Sequence, residues 1–176
     1  MERYDSYLCR YLKDYVSNQL IYEIVICDEN GNDANKITRD FGIESKIKVF
    51  INEKRLGPFL NKIKVCQKAI CSWIVLMDSD NFADENYFMV AKNYIEKNIG
   101  IDKNTILAPS FAKPRFDYTH LSGQIVTKKN MKYIRHSEKN IMKSNNFSLD
   151  VLMNTGNYII NKYLIDNINI ENTDEN

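Results

Sequence analysis

The chain has 176 residues, of which 44% are hydrophobic and 27% are charged, as in an ordinary globular domain with one core. The formal net charge of +1 excludes a global electrostatic field that would recruit nucleic acid or an anionic membrane. The apolar runs are too short to span a bilayer, and the N-terminal residues lack a basic-then-apolar signal pattern. We therefore expect a cytoplasmic protein with no nucleic-acid partner and no integral membrane segment.

The first two thirds of the chain alternate helix-like and strand-like segments. Apolar residues recur every three or four positions from Arg3 to Val16, which predicts an amphipathic helix. Short β-branched runs predict buried strands, and Pro58 suits the first turn of a helix. The predicted elements are helix 3–16, strand 21–27, helix 34–41, strand 47–51, helix 58–70, strand 73–77, helix 84–97 and strand 105–108.

The last third is less regular. Residues 116–134 have room for one or two strands, residues 135–149 read as a polar loop, and residues 153–160 read as a strand. We expect one domain over residues 1–166 and a polar, frayed tail over residues 167–176. Strands that alternate with helices predict an α/β fold, with a mostly parallel central sheet covered by helices on both faces in a three-layer αβα sandwich.

Four cysteines occur without any Cys-x-x-Cys pair, which favours reduced thiols over a zinc site or disulfides. The chemistry therefore has to be sought among other side chains.

Two acid-rich turns follow predicted strands, at Asp28 to Asp33 and at Asp78 to Asp80. Ligands of parallel α/β sheets bind in a crevice at the carboxyl ends of the strands. If the two strands lie near each other, the carboxylates converge on one crevice. This convergence is the central prediction.

The turn Asp78-Ser79-Asp80 directly follows the most apolar strand of the chain. Two carboxylates at this spacing suit a hard divalent cation that bridges a diphosphate. The alternative is an ordinary turn in which Asn81 or Asp84 caps the next helix.

The turn that begins with Asp28 and Glu29 also has two interpretations. Asp28 is either part of a loop held by its own side-chain hydrogen bonds, or an acceptor for a base edge or a sugar hydroxyl. Its pairing with the second acidic turn favours the ligand-binding interpretation.

The order of these motifs resembles family-2 glycosyltransferases of the GT-A fold. Asp28, Gly31 and Asp33 fall on positions of that family's Val-Asp-Asp-Gly-Ser-x-Asp turn, and Asp78-Ser79-Asp80-Asn81 is similar to its Asp-Ser-Asp-Asp segment. The resemblance spans residues 3–166. It further includes Gly57 and Asn61 in a loop and helix, and Asn154-Thr155-Gly156-Asn157-Tyr158 in the segment that lines the sugar and acceptor pocket.

The resemblance implies a GT-A-like domain that transfers a sugar from a nucleoside-diphosphate donor, UDP- or GDP-linked, to an acceptor hydroxyl with inversion. It implies that Asp28 contacts the base, that Asp78 contacts the ribose, and that Asp80 and Asp78 hold Mn²⁺ or Mg²⁺. Further nucleotide-sugar contacts are expected from Glu29, Asn61, Ser79, Gly156 and Asn157.

The sequence departs from the family pattern in two places. The family's strand before the first helix is not visible before Arg3, and its catalytic Glu-Asp pair is matched only by Asp174 and Glu175 near the terminus. We therefore expect a fragment, a split gene product or a binding domain derived from a transferase as alternatives to a complete enzyme. A nucleotidyltransferase is the competing enzyme class, although no glycine-rich basic phosphate loop is visible.

Overall fold

A computed structural model describes residues 3–42, 44–98, 100–113, 116–117, 119 and 157–168. A π-helical segment, Tyr4–Leu8, runs directly into the first α-helix. The helices are α1 Cys9–Ser17, α2 Asn32–Phe41, α3 Gly57–Lys68, α4 Glu85–Lys97 and α5 Tyr163–Asp166. The strands are β1 Ile24–Asp28, β2 Ile47–Ile51, β3 Trp73–Met77, β4 Ile106–Leu107, β5 Phe111–Ala112, β6 Phe116–Asp117 and β7 Asn157–Asn161.

The strands form three small sheets within the described residues. β1 and β2 pair in parallel with Ile24 opposite Ile47, while β7 lies between β3 and β4 and is antiparallel to both. β5 and β6 form an antiparallel pair. The predicted α/β class is confirmed, and the first parallel pair lies where the sequence predicts it.

Helices α1 and α2 cover one face of the β1–β2 pair. Tyr4, Leu12 and Ile37 are almost completely buried and form the centre of this layer. Alternate strand residues pack against them, because successive side chains of a strand point to opposite faces. These strand residues are Ile24, Ile26, Ile47 and Val49.

Helix α3 covers the other face. Its Cys66 is 1% exposed, and the Asn61 side chain donates a hydrogen bond to the backbone oxygen of Cys27 in β1 at 3.1 Å. The Lys68 ammonium lies 5.2 Å from the centre of the Phe50 ring in β2. Helices on both faces of the parallel pair make the layered arrangement that the alternation of elements predicts.

Glu23 joins the beginnings of β1 and β3. One of its carboxylate oxygens accepts hydrogen bonds from the backbone N–H groups of Ile70 and Cys71, at 2.6 and 3.2 Å, and the other lies 2.8 Å from the Lys48 ammonium. Burial alone would raise the pKa of Glu23, but the hydrogen bonds from Lys48 and the two amides outweigh it and hold the pKa below its ordinary value. The carboxylate therefore stays ionised where it links the two sheets.

The four cysteines are free thiols, as the sequence predicts. Burial raises the pKa of the Cys66 thiol to about 12.

Candidate functional site

The acidic turn after β3 leaves its two carboxylates outside the helix cap. The turn is closed by a 2.9 Å hydrogen bond from the backbone N–H of Asn81 to the backbone oxygen of Asp78. Asp84 caps α4, because its carboxylate accepts the Tyr87 N–H at 2.9 Å. Asp84 is therefore the residue that caps α4, and capping does not account for the acidic side chains of Asp78 and Asp80. These two side chains are 38% and 39% exposed.

Two basic side chains pair with these carboxylates. The Lys62 ammonium of α3 lies 2.7 Å from the Asp78 carboxylate, and the Arg3 guanidinium lies 3.1 Å from that of Asp80. Each pair is only partly buried, so water screens it and its net contribution to stability is small. The two ion pairs place positive and negative charge side by side at this turn.

The turn after β1 is held by Asp28. Its two carboxylate oxygens accept the backbone N–H groups of Asn30 at 3.3 Å and of Ala34 at 2.9 Å. Gly31 sits between them with a positive φ of 77°, a conformation that suits glycine. Asp28 thus organises the loop and the first turn of α2, so its structural role is evident. Its predicted contact with a base stays a prediction.

Asp33 and Arg3 connect the two acidic turns. The buried Asp33 carboxylate accepts the backbone N–H groups of Arg3 at 3.0 Å and of Tyr4 at 3.2 Å. The Arg3 side chain reaches the Asp80 carboxylate from the same residue. Arg3 therefore contacts both turns at once.

Helix α3 makes a second connection at the same place. Its neighbouring residues Asn61 and Lys62 contact the end of β1 and the turn after β3, through the Cys27 oxygen and the Asp78 carboxylate. The carboxyl ends of β1 and β3 therefore share one edge of the molecule. We call the turn Asp28–Asp33 together with the turn Asp78–Asn81 the acidic edge.

Two other predicted site residues fix the surroundings of the acidic edge. Glu29 accepts the backbone N–H groups of Leu56 and Gly57, at 3.0 and 2.8 Å, and so holds the beginning of α3. The Asn61 side chain also accepts a 2.8 Å hydrogen bond from Asn52. Both side chains are engaged in positioning α3 and β1.

Strand β7 approaches the acidic edge through Asn157. The Asn81 side chain donates a hydrogen bond to the Asn157 side-chain oxygen at 3.1 Å, and Asn157 pairs with Met77 in the sheet. Ser79 lies between the two aspartates and is partly buried. The remaining predicted residues, Gly156, Asp174 and Glu175, lie outside the described residues.

Aromatic residues of α1 support the loop after the acidic turn. The Tyr15 ring stacks on Phe82 with ring centres 5.8 Å apart, and Tyr11 contacts the same ring at 5.1 Å. The Tyr15 hydroxyl oxygen accepts the Ala83 N–H at 2.9 Å. Burial raises the pKa of Tyr15 to about 12, so the hydroxyl keeps its proton at neutral pH. Helix α1 thereby positions the segment that follows Asp80.

The residues of the acidic edge fit a divalent cation that takes most of its ligands from a substrate. Within the described ranges, no group of three or more His, Cys, Asp or Glu side chains is placed to enclose an ion. Asp78 and Asp80 contribute hard carboxylate oxygens from one turn, and Mg²⁺ is commonly held by one or two carboxylates plus phosphate oxygens and water. The donor set thus suits a metal–diphosphate complex better than a metal ion alone.

The family model for glycosyl transferase family 2 matches residues 3–102, which is more than half of the chain. The chain belongs to glycosyl transferase family 2. The matched region contains both turns of the acidic edge together with α3. No curated protein and no solved structure matches the chain. In the part of the chain that the structure describes, no helix combines the length and the apolar character needed to cross a membrane.

Sequence reasoning missed the two basic side chains at the acidic edge, Arg3 and Lys62. Lys62 directly follows Asn61 near the beginning of α3, so its proximity to Asn61 is the signal that could have found it. Arg3 carries no local signal, because its position depends on the buried carboxylate of Asp33, thirty residues later in the chain.

Proposed function

We propose that the acidic edge binds a nucleoside-diphosphate sugar, UDP- or GDP-linked, together with Mn²⁺ or Mg²⁺, and transfers the sugar to an acceptor hydroxyl with inversion. In this proposal Asp78 and Asp80 bind the metal ion, and Asp78 also lies near the ribose. Asp28 and Glu29 contact the nucleoside. The observation that carries it is the contact of Arg3 with both acidic turns, together with the contacts of Lys62 at the same edge.

The charges of the acidic edge suit this substrate. Two carboxylates attract a divalent cation, while Arg3 and Lys62 supply positive charge for phosphate oxygens. In the structure the four groups form two ion pairs, at 3.1 and 2.7 Å. A metal–diphosphate complex offers each of them a new partner of opposite charge, whereas a free metal ion offers one only to the carboxylates.

The reaction follows from this arrangement. The acceptor oxygen bonds to the anomeric carbon on the face opposite the diphosphate, the bond from that carbon to the diphosphate oxygen breaks, and the nucleoside diphosphate leaves with the electron pair. The divalent cation, when bound, neutralises charge that develops on the leaving group. The acceptor proton passes to a carboxylate, for which Asp174 and Glu175 are the candidates in this chain. Arg3 and Lys62 orient the diphosphate, and Asn157 supports the turn through Asn81.

Calorimetric titration of UDP and GDP tests the binding step, with Mn²⁺, with Mg²⁺ and with a chelator. We expect metal-dependent binding of at least one nucleotide and at least about tenfold weaker binding by Asp80→Asn, which corresponds to about 1.4 kcal/mol. Asp102→Asn is the matched control, because it makes the same charge change in an exposed turn. Undiminished metal-dependent binding by Asp80→Asn would remove Asp80 from the site.

A product assay tests the reaction class. Incubation with UDP- and GDP-sugars is expected to release the nucleoside diphosphate, by transfer or by slow hydrolysis of the donor. Release of pyrophosphate from nucleoside triphosphate and sugar phosphate would instead identify a nucleotidyltransferase. Nucleotide binding without turnover of any tested donor would identify a binding module.

A further inference from the structure

Asp33 is a buried carboxylate to which the proposed reaction assigns no role. It lies in the first turn of α2 and is 8% exposed. A buried charge destabilises a fold unless hydrogen bonds or opposite charges compensate for it. The groups that compensate for the charge of Asp33 therefore indicate what this side chain does.

The charge of Asp33 is compensated at the beginnings of two helices. Its Oδ2 accepts the backbone N–H of Arg3 at 3.0 Å, and its Oδ1 accepts that of Tyr4 at 3.2 Å. These N–H groups begin the helical segment Tyr4–Leu8, and N–H groups at the beginning of a helix have no partner within it. The carboxylate also lies in the first turn of its own helix, where the helix dipole stabilises negative charge. One carboxylate thus fixes the beginning of the segment before α1 to the beginning of α2.

The backbone of Arg3 is held on both sides. Its N–H is bonded to Asp33, and its oxygen accepts the N–H groups of Tyr7 and Leu8 at 3.0 and 3.2 Å. The Arg3 side chain makes no hydrogen bond that caps the helical segment, so it is free to extend away from the helix. From this fixed backbone position the guanidinium reaches the Asp80 carboxylate at 3.1 Å.

The ion pair between Arg3 and Asp80 is too weak to hold Arg3 in this position by itself. The two side chains are 31% and 39% exposed, so water screens the pair. A cation–π contact of the guanidinium with the Tyr7 ring, at 5.7 Å, makes a similarly small contribution. Ordering the backbone and the long side chain of an arginine costs more free energy than these two contacts supply. The order of Arg3 therefore depends on its anchor, Asp33.

We propose that Asp33 is a positioning residue, which holds the Arg3 guanidinium at Asp80 and, in the complex, at the diphosphate of the nucleotide. The inference rests on the proposed function for the role of Arg3, and it adds a buried carboxylate that is itself not a ligand. Through Arg3, Asp33 acts on the two ligands in opposite directions. The guanidinium competes with a metal ion that arrives alone for the Asp80 carboxylate, whereas it attracts the phosphate oxygens of a nucleotide that accompanies the metal ion.

Asp33→Asn tests the inference by calorimetry. Asparagine keeps one acceptor oxygen, but its NH₂ group faces one of the two backbone N–H groups, so Arg3 loses its anchor. We expect Mn²⁺ alone to bind about two- to fivefold more tightly than to the wild type. We expect UDP or GDP with saturating Mn²⁺ to bind at least about fivefold more weakly. A general loss of structure would weaken both, so the opposite signs identify an effect that passes through Arg3.

Asp40→Asn is the matched control. Asp40 lies on the same helix, and its carboxylate accepts the Tyr4 hydroxyl at 2.6 Å. The substitution therefore makes the same charge change and loosens the contact of α2 with the same segment, away from the Arg3 backbone. We expect it to leave both affinities within about twofold of the wild type. A double variant with Asp33→Asn and Arg3→Gln should bind both ligands as Arg3→Gln alone does, because Asp33 acts through Arg3.

Hydrogen exchange of the wild-type chain gives a second test, which does not depend on the folding of a variant. We expect the Arg3 and Tyr4 amides to exchange at least about tenfold more slowly than in the unfolded chain, because both are bonded to Asp33. Unprotected amides at these two residues would overturn the inference, and so would equal effects of Asp33→Asn and Asp40→Asn or weaker binding of Mn²⁺ alone by Asp33→Asn. These results leave the proposed function standing. A wild-type chain that binds neither nucleotide with either metal ion would overturn the proposed function, and the inference with it.

Discussion

Glu23→Gln tests whether an ionised carboxylate holds the two sheets together. The substitution keeps the size of the side chain and removes its charge. In the wild type the carboxylate is 6% exposed and accepts hydrogen bonds from Lys48 and from the Ile70 and Cys71 amides. Glutamine keeps one acceptor oxygen and turns an NH₂ group towards the Lys48 ammonium.

The magnitude follows from these three contacts. A hydrogen bond to a charged group contributes about 1 kcal/mol more than a neutral one, so the three contacts lose about 3 kcal/mol together. Relief of the burial cost of the charge offsets part of this loss, which leaves about 2 kcal/mol of destabilisation at pH 7. For a chain of this length the melting temperature should fall by about 4 to 8 °C.

The pH dependence gives a sharper signature than the size of the effect. Since folding lowers the pKa of Glu23, its stabilisation is fully present above the pKa of the unfolded chain, for which the ordinary value is 4.5, and is lost as the pH falls through the folded pKa. The stability difference between wild type and Glu23→Gln should therefore be constant from about pH 6 to 8 and shrink below about pH 4.5.

Urea unfolding followed by circular dichroism, between pH 3 and pH 8, measures this difference. Glu53→Gln is the control, because Glu53 is exposed and the substitution makes the same charge change. Two outcomes would refute the reasoning. One is a Glu23→Gln protein as stable as the control at pH 7, and the other is a difference that persists unchanged at pH 3.

Three further predictions concern other described residues. Tyr15→Phe removes the acceptor of the Ala83 N–H and should cost about 1 kcal/mol in urea unfolding; an unchanged midpoint would contradict the bond. Burial raises the pKa of Cys66 to about 12, so at pH 8 its thiol should react with a disulfide reagent only after the chain unfolds. The unfolded chain should then titrate four thiols. Rapid labelling of Cys66 in the native chain would be inconsistent with its burial. Arg3→Gln frees the Asp80 carboxylate and should strengthen binding of Mn²⁺ alone by about two- to fivefold in calorimetry, whereas weaker binding would show that Arg3 does not compete with the metal.

The element pattern could be predicted because local physical rules control it. The apolar runs of β1 to β3 and the proline at the beginning of α3 mark their own boundaries to within a few residues. The direction of β7 could not be predicted in this way, because the sequence of Asn157–Asn161 reads as a strand without stating its partner. Topology of this kind depends on long-range pairing rather than on local pattern.

At the acidic edge, too, local features could be predicted from the sequence and long-range contacts could not. The position of Asp78 and Asp80 directly after a buried strand is a local signal that the sequence carries, whereas their role in binding stays a prediction. The partners of these acids could not be predicted, since Arg3 and Lys62 reach them only through the packing of α1 and α3. The sequence left open whether Asn81 or Asp84 caps α4. The hydrogen bond from the Tyr87 N–H to the Asp84 carboxylate identifies Asp84 as the cap.

The position of Arg3 has a practical consequence for handling this protein. Its backbone is anchored to Asp33 and its guanidinium to Asp80, so whatever is fused directly before it emerges beside the carboxylates. A polyhistidine tag at that end would bring imidazoles within reach of the very ion that a titration is meant to measure. Any metal affinity measured with an amino-terminal tag should therefore be repeated after its removal.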